Sequence, residues 1–273
     1  MSCQTVDYVR ANQHAWSASA AHHVTSDGYK ALKIGFAQPG FLCFDDILKQ
    51  HLVELGIAGK DVCQLCCNNG RELISLGSLG AHRLVGFDQA GAFLEQGREL
   101  AAIAGRDCRF IETDIYAVSE EYDASFDLAL VTTGSIGWMP DLVRFMGVAT
   151  RLLQVGGVLL IYEQHPIMNM YDPLDPIDPH RRRHSYFRGE PFEESGAIVY
   201  DGRTGLEGPI KYWFLHPLGD IVTAAIESGL AIEILREYPH NICNAEFDIY
   251  DVPSTKLPQS YVLAARKVAV TRS

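Results

Sequence analysis

Val62-Cys63-Gln64-Leu65-Cys66-Cys67-Asn68-Asn69-Gly70-Arg71-Glu72-Leu73 carries an apolar run into a polar turn and then into an amphipathic segment. Residues 61–66 read as a strand, and 71–79 have the apolar spacing of a helix. A strand that turns directly into a helix presents backbone amides and a helix N-terminus beyond its carboxyl end. In doubly wound sheets that is where ligands bind. Downstream the alternation continues, with strands over 84–87, 108–111, 126–131 and 158–162 and helices over 92–104 and 142–153. Apolar strands separated by helices form a parallel sheet covered on both faces, so the fold class is α/β, doubly wound.

Upstream, Ile47, Leu48, His51, Leu52 and Leu55 lie at helical spacing, with Asp45 or Asp46 to cap the start and Gly56 to end it. The forty residues before them hold small and aromatic side chains. After Pro166 the alternation stops. Pro173, Pro176, Pro179 and Pro191 interrupt 166–210, and 197–200 and 211–215 are its β-like pieces. The aromatics Tyr171, Tyr186, Phe187, Phe192 and Tyr200 mark this as a packed insertion, not a linker. A helix over 218–228 and strands over 231–235 and 260–265 follow. One enlarged domain is expected: a lid-like segment 1–44, a core 45–165, the insertion 166–215 and a C-terminal part of the core 216–273.

The 273 residues, 47% hydrophobic and 21% charged, can bury a large core without disulfides or metals. Lys and Arg number 23 against 34 Asp and Glu, a net charge of −11 that disfavours nucleic acid and anionic membranes as partners. No run approaches the roughly 20 apolar residues that span a bilayer. The first residues lack the basic start and apolar core of a secretory signal, and seven cysteines are an odd number. A reduced, cytoplasmic protein is therefore expected. Cys63 and Cys66 have the spacing of a redox or metal pair. On a strand, however, an offset of three puts them on opposite faces, and no second pair is present. Burial is the expectation, with no metal site.

The second strand ends in Asp88, 18 residues after Gly70, and the third at Glu112-Thr113-Asp114. A carboxylate at the first of these places accepts from both hydroxyls of a ribose, so nucleoside binding leads. The glycines say which nucleoside. G-x-G-x-x-G needs glycine at 66, 68 and 71, where the chain has Cys66, Asn68 and Arg71. G-x-G-x-G needs it at 66, 68 and 70, and only Gly70 matches.

The run 62–73 resembles class I methyltransferases that use S-adenosylmethionine. It is most similar to a bacterial subgroup that keeps a C-N-N-G-R-E core in place of the first glycines. Further blocks resemble that subgroup in order along nearly the whole chain: Asn12-Gln13-His14-Ala15-Trp16 with His23-Val24-Thr25-Ser26-Asp27, then 134–142, then 149–157 followed by Glu163-Gln164-His165-Pro166, then 214–222. The resemblance implies a Rossmann-like sheet of seven strands, six parallel and the last antiparallel, with an N-terminal helical segment and an insertion after the fifth strand. The implied cofactor is S-adenosylmethionine, with S-adenosylhomocysteine as product. Cys66, Cys67, Asn68 and Gly70 would wrap its methionine part, and Thr132 and Thr133 would lie beneath it. Gln64 stands where many members carry an acidic residue that orients the cofactor. Asp88 would hold the ribose, and Asp114 would accept from the adenine amino group, with Thr113, Ile115 and Gln89 beside the ring. Cys66 and Asn68 depart from glycine, which restricts how closely the backbone there approaches a ligand.

The activity implied is in-line transfer of the methyl group to an O, N or C nucleophile of a small-molecule acceptor. Trp16, Tyr29 and Trp138 are candidates for the acceptor's walls, plain packing being the alternative. His165 and His216 are candidates for a general base. His180-Arg181-Arg182-Arg183-His184 is the one basic cluster, and Arg182 in it is the candidate to recognise a carboxylate or phosphate on the acceptor. A solvated loop is the alternative there. Two other classes stay open: a non-catalytic protein that binds the cofactor or its product, and an NAD(P)-dependent oxidoreductase, which the glycine count disfavours. Both monomer and homodimer are compatible with the sequence.

Overall fold

The computed structural model describes residues 3–203, 205–243, 245–251 and 256–269. The extreme ends of the expected N-terminal and C-terminal segments, residues 1–2 and 270–273, lie outside them. Three helices come first: α1 (Cys3–Val24), α2 (Asp27–Phe36) and α3 (Asp46–Glu54). The alternating core follows as β1 (Asp61–Leu65), α4 (Arg71–Ser78), β2 (Arg83–Asp88), α5 (Gly91–Ala104), β3 (Cys108–Glu112), β4 (Phe126–Thr132), α6 (Leu142–Leu152) and β5 (Leu153–Gln164). A hairpin of β6 (Phe192–Ser195) and β7 (Ile210–Trp213) precedes α7 (Leu218–Glu227), β8 (Leu230–Tyr238) and β9 (Ser260–Lys267).

The sheet order is β3-β2-β1-β4-β5-β9-β8. Strands β1 to β5 run parallel, and β9 is antiparallel to both of its neighbours. β8 therefore runs with the rest, giving six parallel strands and an antiparallel last one, as the resemblance implies. The chain leaves β3 and returns on the far side of β1, so a crevice opens at the β1/β4 switch point.

Period-two alternation divides the core. Cys63, Leu65, Val85, Phe87, Ala129 and Val131 face a layer holding α6 and α7. Val62, Leu84, Leu128 and Leu130 face the layer of α2, α3, α4 and α5. Asp45 caps α3 by accepting from Leu48 N at 2.9 Å, and Gly56 ends that segment at φ 68°.

The N-terminal helical segment that the resemblance implies is present as α1 and α2. Two expectations are corrected. In the insertion, the β-like piece at 211–215 is β7, but 197–200 is irregular and the partner strand is β6. Cys63 and Cys66 do not face opposite ways. The strand ends at Leu65, the turn at Cys66 breaks the alternation, and both pack on the layer of α6 and α7. No helix among the described residues is long and apolar enough to cross a membrane.

Candidate cofactor cleft

The loop after β1 has the backbone of a glycine loop without most of its glycines. Cys66, Asn68 and Gly70 take φ values of 54°, 51° and 63°, all in the left-handed region. For residues other than glycine this costs on the order of 1 kcal/mol each, less for asparagine. Hydrogen bonds hold the shape. Asn68 N donates to Asp88 Oδ2 at 2.8 Å, Asn69 N to Asn68 Oδ1 at 2.8 Å, and Gly70 N to Cys67 O at 2.7 Å. Only at Gly70 is a side chain excluded by space, because a Cβ there would stand 2.3 Å from the Phe110 ring. Gly70→Ala is accordingly expected to cost about 2–4 kcal/mol in urea denaturation, strain plus overpacking. Cys66→Gly should change stability by less than about 1 kcal/mol, as relief of strain offsets the unfolded chain's gain in freedom.

Beyond this loop lies a cavity of about 670 Å³, its mouth included. The ends of β1, β2, β3 and β4 supply its floor: Cys66 and Asn68, then Phe87, Asp88 and Gln89, then Thr113, Asp114, Ile115 and Tyr116, then Thr133, Gly134 and Ser135. Val9 and Trp16 of α1, Tyr200 of the insertion, and Trp138 and Met139 complete the walls. Asp88 accepts from the backbone N–H groups of Asn68 (2.8 Å) and Ala90 (2.9 Å). Burial pushes its carboxyl above the usual carboxylate range, against the pull of amides at Ala90, Asn68 and Gln89. Asp114 accepts from Tyr116 N at 3.0 Å, which fixes its carboxylate on the cavity wall. Tyr116 Oη in turn accepts from Asp141 N and donates to Asp141 O, tying the third-strand loop to the start of α6.

The fourth-strand loop is shaped by a residue the sequence reading did not single out. Glu163, 5% exposed at the end of β5, accepts from Gly134 N (2.6 Å), Ser135 N (2.9 Å), Ile136 N (3.2 Å) and Gln164 N (2.9 Å). A carboxylate has lone pairs for all four, and a run of free amides at a strand end is the signal that calls for one.

The roof is α1 bound to the insertion. Asn12, buried in α1, pairs with the backbone of Tyr212 as a strand would, donating to its carbonyl at 2.9 Å and accepting from its N–H at 2.8 Å. Ser19 Oγ accepts from Ile198 N at 2.9 Å, and His23 Nε2 donates to Ile198 O at 2.8 Å. Burial holds His23 below its ordinary value of 6.5. The Ile198 bond and Asp201 oppose that shift, while Arg71 and His22 add to it. A lowered histidine favours the closed form above its ordinary value and ceases to do so as pH falls below it. Protection of the Ile198 amide from hydrogen exchange is thus expected to fall between about pH 7 and pH 5. His23→Gln should abolish that dependence.

The other predicted residues are distributed as follows. Cys66, Asn68, Asp88, Gln89, Thr113, Asp114, Ile115, Thr133, Trp16 and Trp138 line the cavity. Gln64, Cys67, Gly70 and Thr132 stand behind its wall. Gln64 is spent on Leu73 N (3.0 Å) and Thr132 Oγ1 (3.1 Å), joining β1, β4 and α4. Tyr29 does not reach the cavity. It packs α2 on α5, with Oη donating to Glu99 at 2.6 Å. His165 is buried away from it, its Nδ1 accepting from Ile167 N and its Nε2 2.8 Å from Glu237. His216 donates from Nε2 to Met139 O at 2.8 Å and lies outside as well. Arg182 is exposed and does not line the cavity. Its neighbours Arg181 and Arg183 are folded onto buried Asp175, with Arg183 Nε at 2.6 Å. Local spacing could not give these directions, nor the lining residues Val9, Tyr116 and Tyr200.

A family model described as a methyltransferase domain matches residues 62–157. No curated protein matches the chain. Among solved structures, an S-adenosylmethionine-dependent methyltransferase from Mesorhizobium loti is 20% identical, with 77% of this chain and 92% of that one covered at a TM-score of 0.52. A protein from Listeria monocytogenes described in the same terms is 14% identical, covering 81% and 100% at 0.59. A geranyl diphosphate C-methyltransferase from Streptomyces coelicolor, solved with S-adenosylhomocysteine, is 13% identical, covering 81% and 79% at 0.55. Residues 62–157 thus match a methyltransferase domain, and the chain shares its fold with solved S-adenosylmethionine-dependent methyltransferases.

Proposed function

We propose that this chain transfers the methyl group to a nucleophilic atom of a small-molecule acceptor by in-line displacement inside the cleft. The observation that carries the reading is one cavity walled by two fixed carboxylates, Asp88 and Asp114, at successive strand ends beside the left-handed loop. That arrangement suits a ribose and an adenine amino group. S-adenosylmethionine supplies an electrophilic methyl on a sulfonium. The chain's own contribution is alignment and exclusion of water, for which Val9, Trp16 and Tyr200 form the roof. Neither His165 nor His216 lines the cleft, so the proposal assigns no general base to them. The roof and the charge of −11 favour a small molecule over nucleic acid. The free thiols of Cys43, Cys63, Cys66, Cys67 and Cys108 suit a reducing, cytoplasmic setting.

The test is the melting temperature with S-adenosylmethionine, S-adenosylhomocysteine, NAD and NADP added in turn. At 100 times its dissociation constant a ligand stabilises by about 2.7 kcal/mol. The first two are expected to raise the melting temperature and the nicotinamide nucleotides to leave it unchanged. A shift with NAD alone would overturn the reading.

A further inference from the structure

A second, smaller cavity of about 290 Å³, mouth included, lies at the same edge of the sheet, one strand beyond the cleft. It sits where β5 ends, at Glu163 and Gln164, and where antiparallel β9 begins, at Tyr261. Tyr261, on the face of the sheet that it shares with Glu163, is fully buried, yet its Oη has no hydrogen-bond partner. Leaving a buried polar group unpaired costs about 1–3 kcal/mol, so this one at the cavity wall points to an occupant. The other polar walls are consistent with this. Asn169 accepts from Trp213 Nε1 at 3.2 Å through its oxygen and keeps its amide N–H groups to donate. His216, whose Nε2 donates to Met139 O, keeps Nδ1 as an acceptor.

The cavity is coupled to the cleft by aromatic contact. Trp213, in its wall, packs edge-on against Trp138 at 5.0 Å, and Trp138 against Trp16 at 5.4 Å. These are all three tryptophans of the chain, in one row from the cleft to the second cavity. Gly137 lets Trp213 lie flat on the loop, since a Cβ there would be 2.1 Å from the indole. No lysine or arginine lines the cavity, and the Glu163 carboxylate, already bonded to four amides, disfavours an anion. The enclosed part holds about one water-sized group.

We propose that this cavity seats the uncharged oxygen, a carbonyl or hydroxyl, of an otherwise apolar acceptor lying along the tryptophan row, with Tyr261 Oη donating to it. The role of the occupant as acceptor rests on the methyltransferase reading above; the binding site itself does not. The test uses four matched probes, benzamide, phenol, benzoate and benzylamine, added to the protein saturated with S-adenosylhomocysteine. The three indole N–H signals are followed by NMR. Benzamide and phenol should move the Trp213 signal, and benzoate and benzylamine should bind at least about tenfold more weakly. Tyr261→Phe, which keeps the ring's volume, should weaken benzamide about threefold and leave S-adenosylhomocysteine affinity unchanged. The proposal fails if benzoate or benzylamine binds best, if benzamide is insensitive to the variant, or if no probe shifts Trp213 and water alone fills the site. S-adenosylhomocysteine binding, measured first, reports separately on the methyltransferase reading.

Discussion

Asp88→Ala is expected to weaken S-adenosylhomocysteine binding at least about 100-fold by calorimetry, while the protein still folds. The Asp88 carboxylate serves two sides at once. It holds Asn68 N and Ala90 N, which keeps the left-handed loop in shape, and it lines the cleft with lone pairs to spare. Hydrogen bonds to a charged group contribute about 1.5–3 kcal/mol each, so losing two toward a diol reaches two orders of magnitude or more. Stability should fall less than affinity, because burial of the charge already opposes folding. Asp88→Asn provides the pH signature. A carboxyl raised in the folded state contributes stability at low pH that is lost as pH rises through its folded value. The stability difference between wild type and Asp88→Asn should therefore be larger near pH 4 than at pH 7.

Glu163→Gln is expected to lower the melting temperature by about 10 °C and to weaken the cofactor with it. The substitution keeps shape and volume but turns one acceptor oxygen into a donor facing backbone N–H groups. Half of the four bonds from Gly134, Ser135, Ile136 and Gln164 are lost. At about 1.5–3 kcal/mol each for a charged acceptor, less the relief of burying a charge, the net loss is about 3–4 kcal/mol. In a chain of this size that shifts melting by about 2–4 °C per kcal/mol. Because Thr133, Gly134 and Ser135 wall the cleft, affinity should fall in parallel. A variant that melts like wild type would show that this loop holds itself.

What was legible in the sequence is what is local. The β1–loop–α4 passage, Asp88 and Asp114 were found because strand ends and helix starts follow from periodicity within a few residues. Helix α1 came from the resemblance and not from periodicity, because its buried face is Asn12, Ala15, Ser19, Ala20 and His23, small and polar residues that leave no apolar stripe. Asn12 is buried because a strand 200 positions away supplies both of its partners. Tyr200 and Val9 reach the cleft by similar long closures. The basic cluster failed for the opposite reason: its acidic partner, Asp175, is a few residues upstream, but a cluster's charge does not say which way it folds. His165 and His216 were picked for their titration range, and nothing in a histidine-proline pair fixes where the ring points.

The order of strands across the sheet has a consequence for biosynthesis. β9 is made after β8, yet it lies between β5 and β8, so the sheet stays divided until β9 has left the ribosome. Helix α1 emerges first and waits for β7. The nascent chain thus carries β5 with one edge unpaired while residues 165–259 are made. The roof of the cleft closes only once β7 has emerged to meet α1.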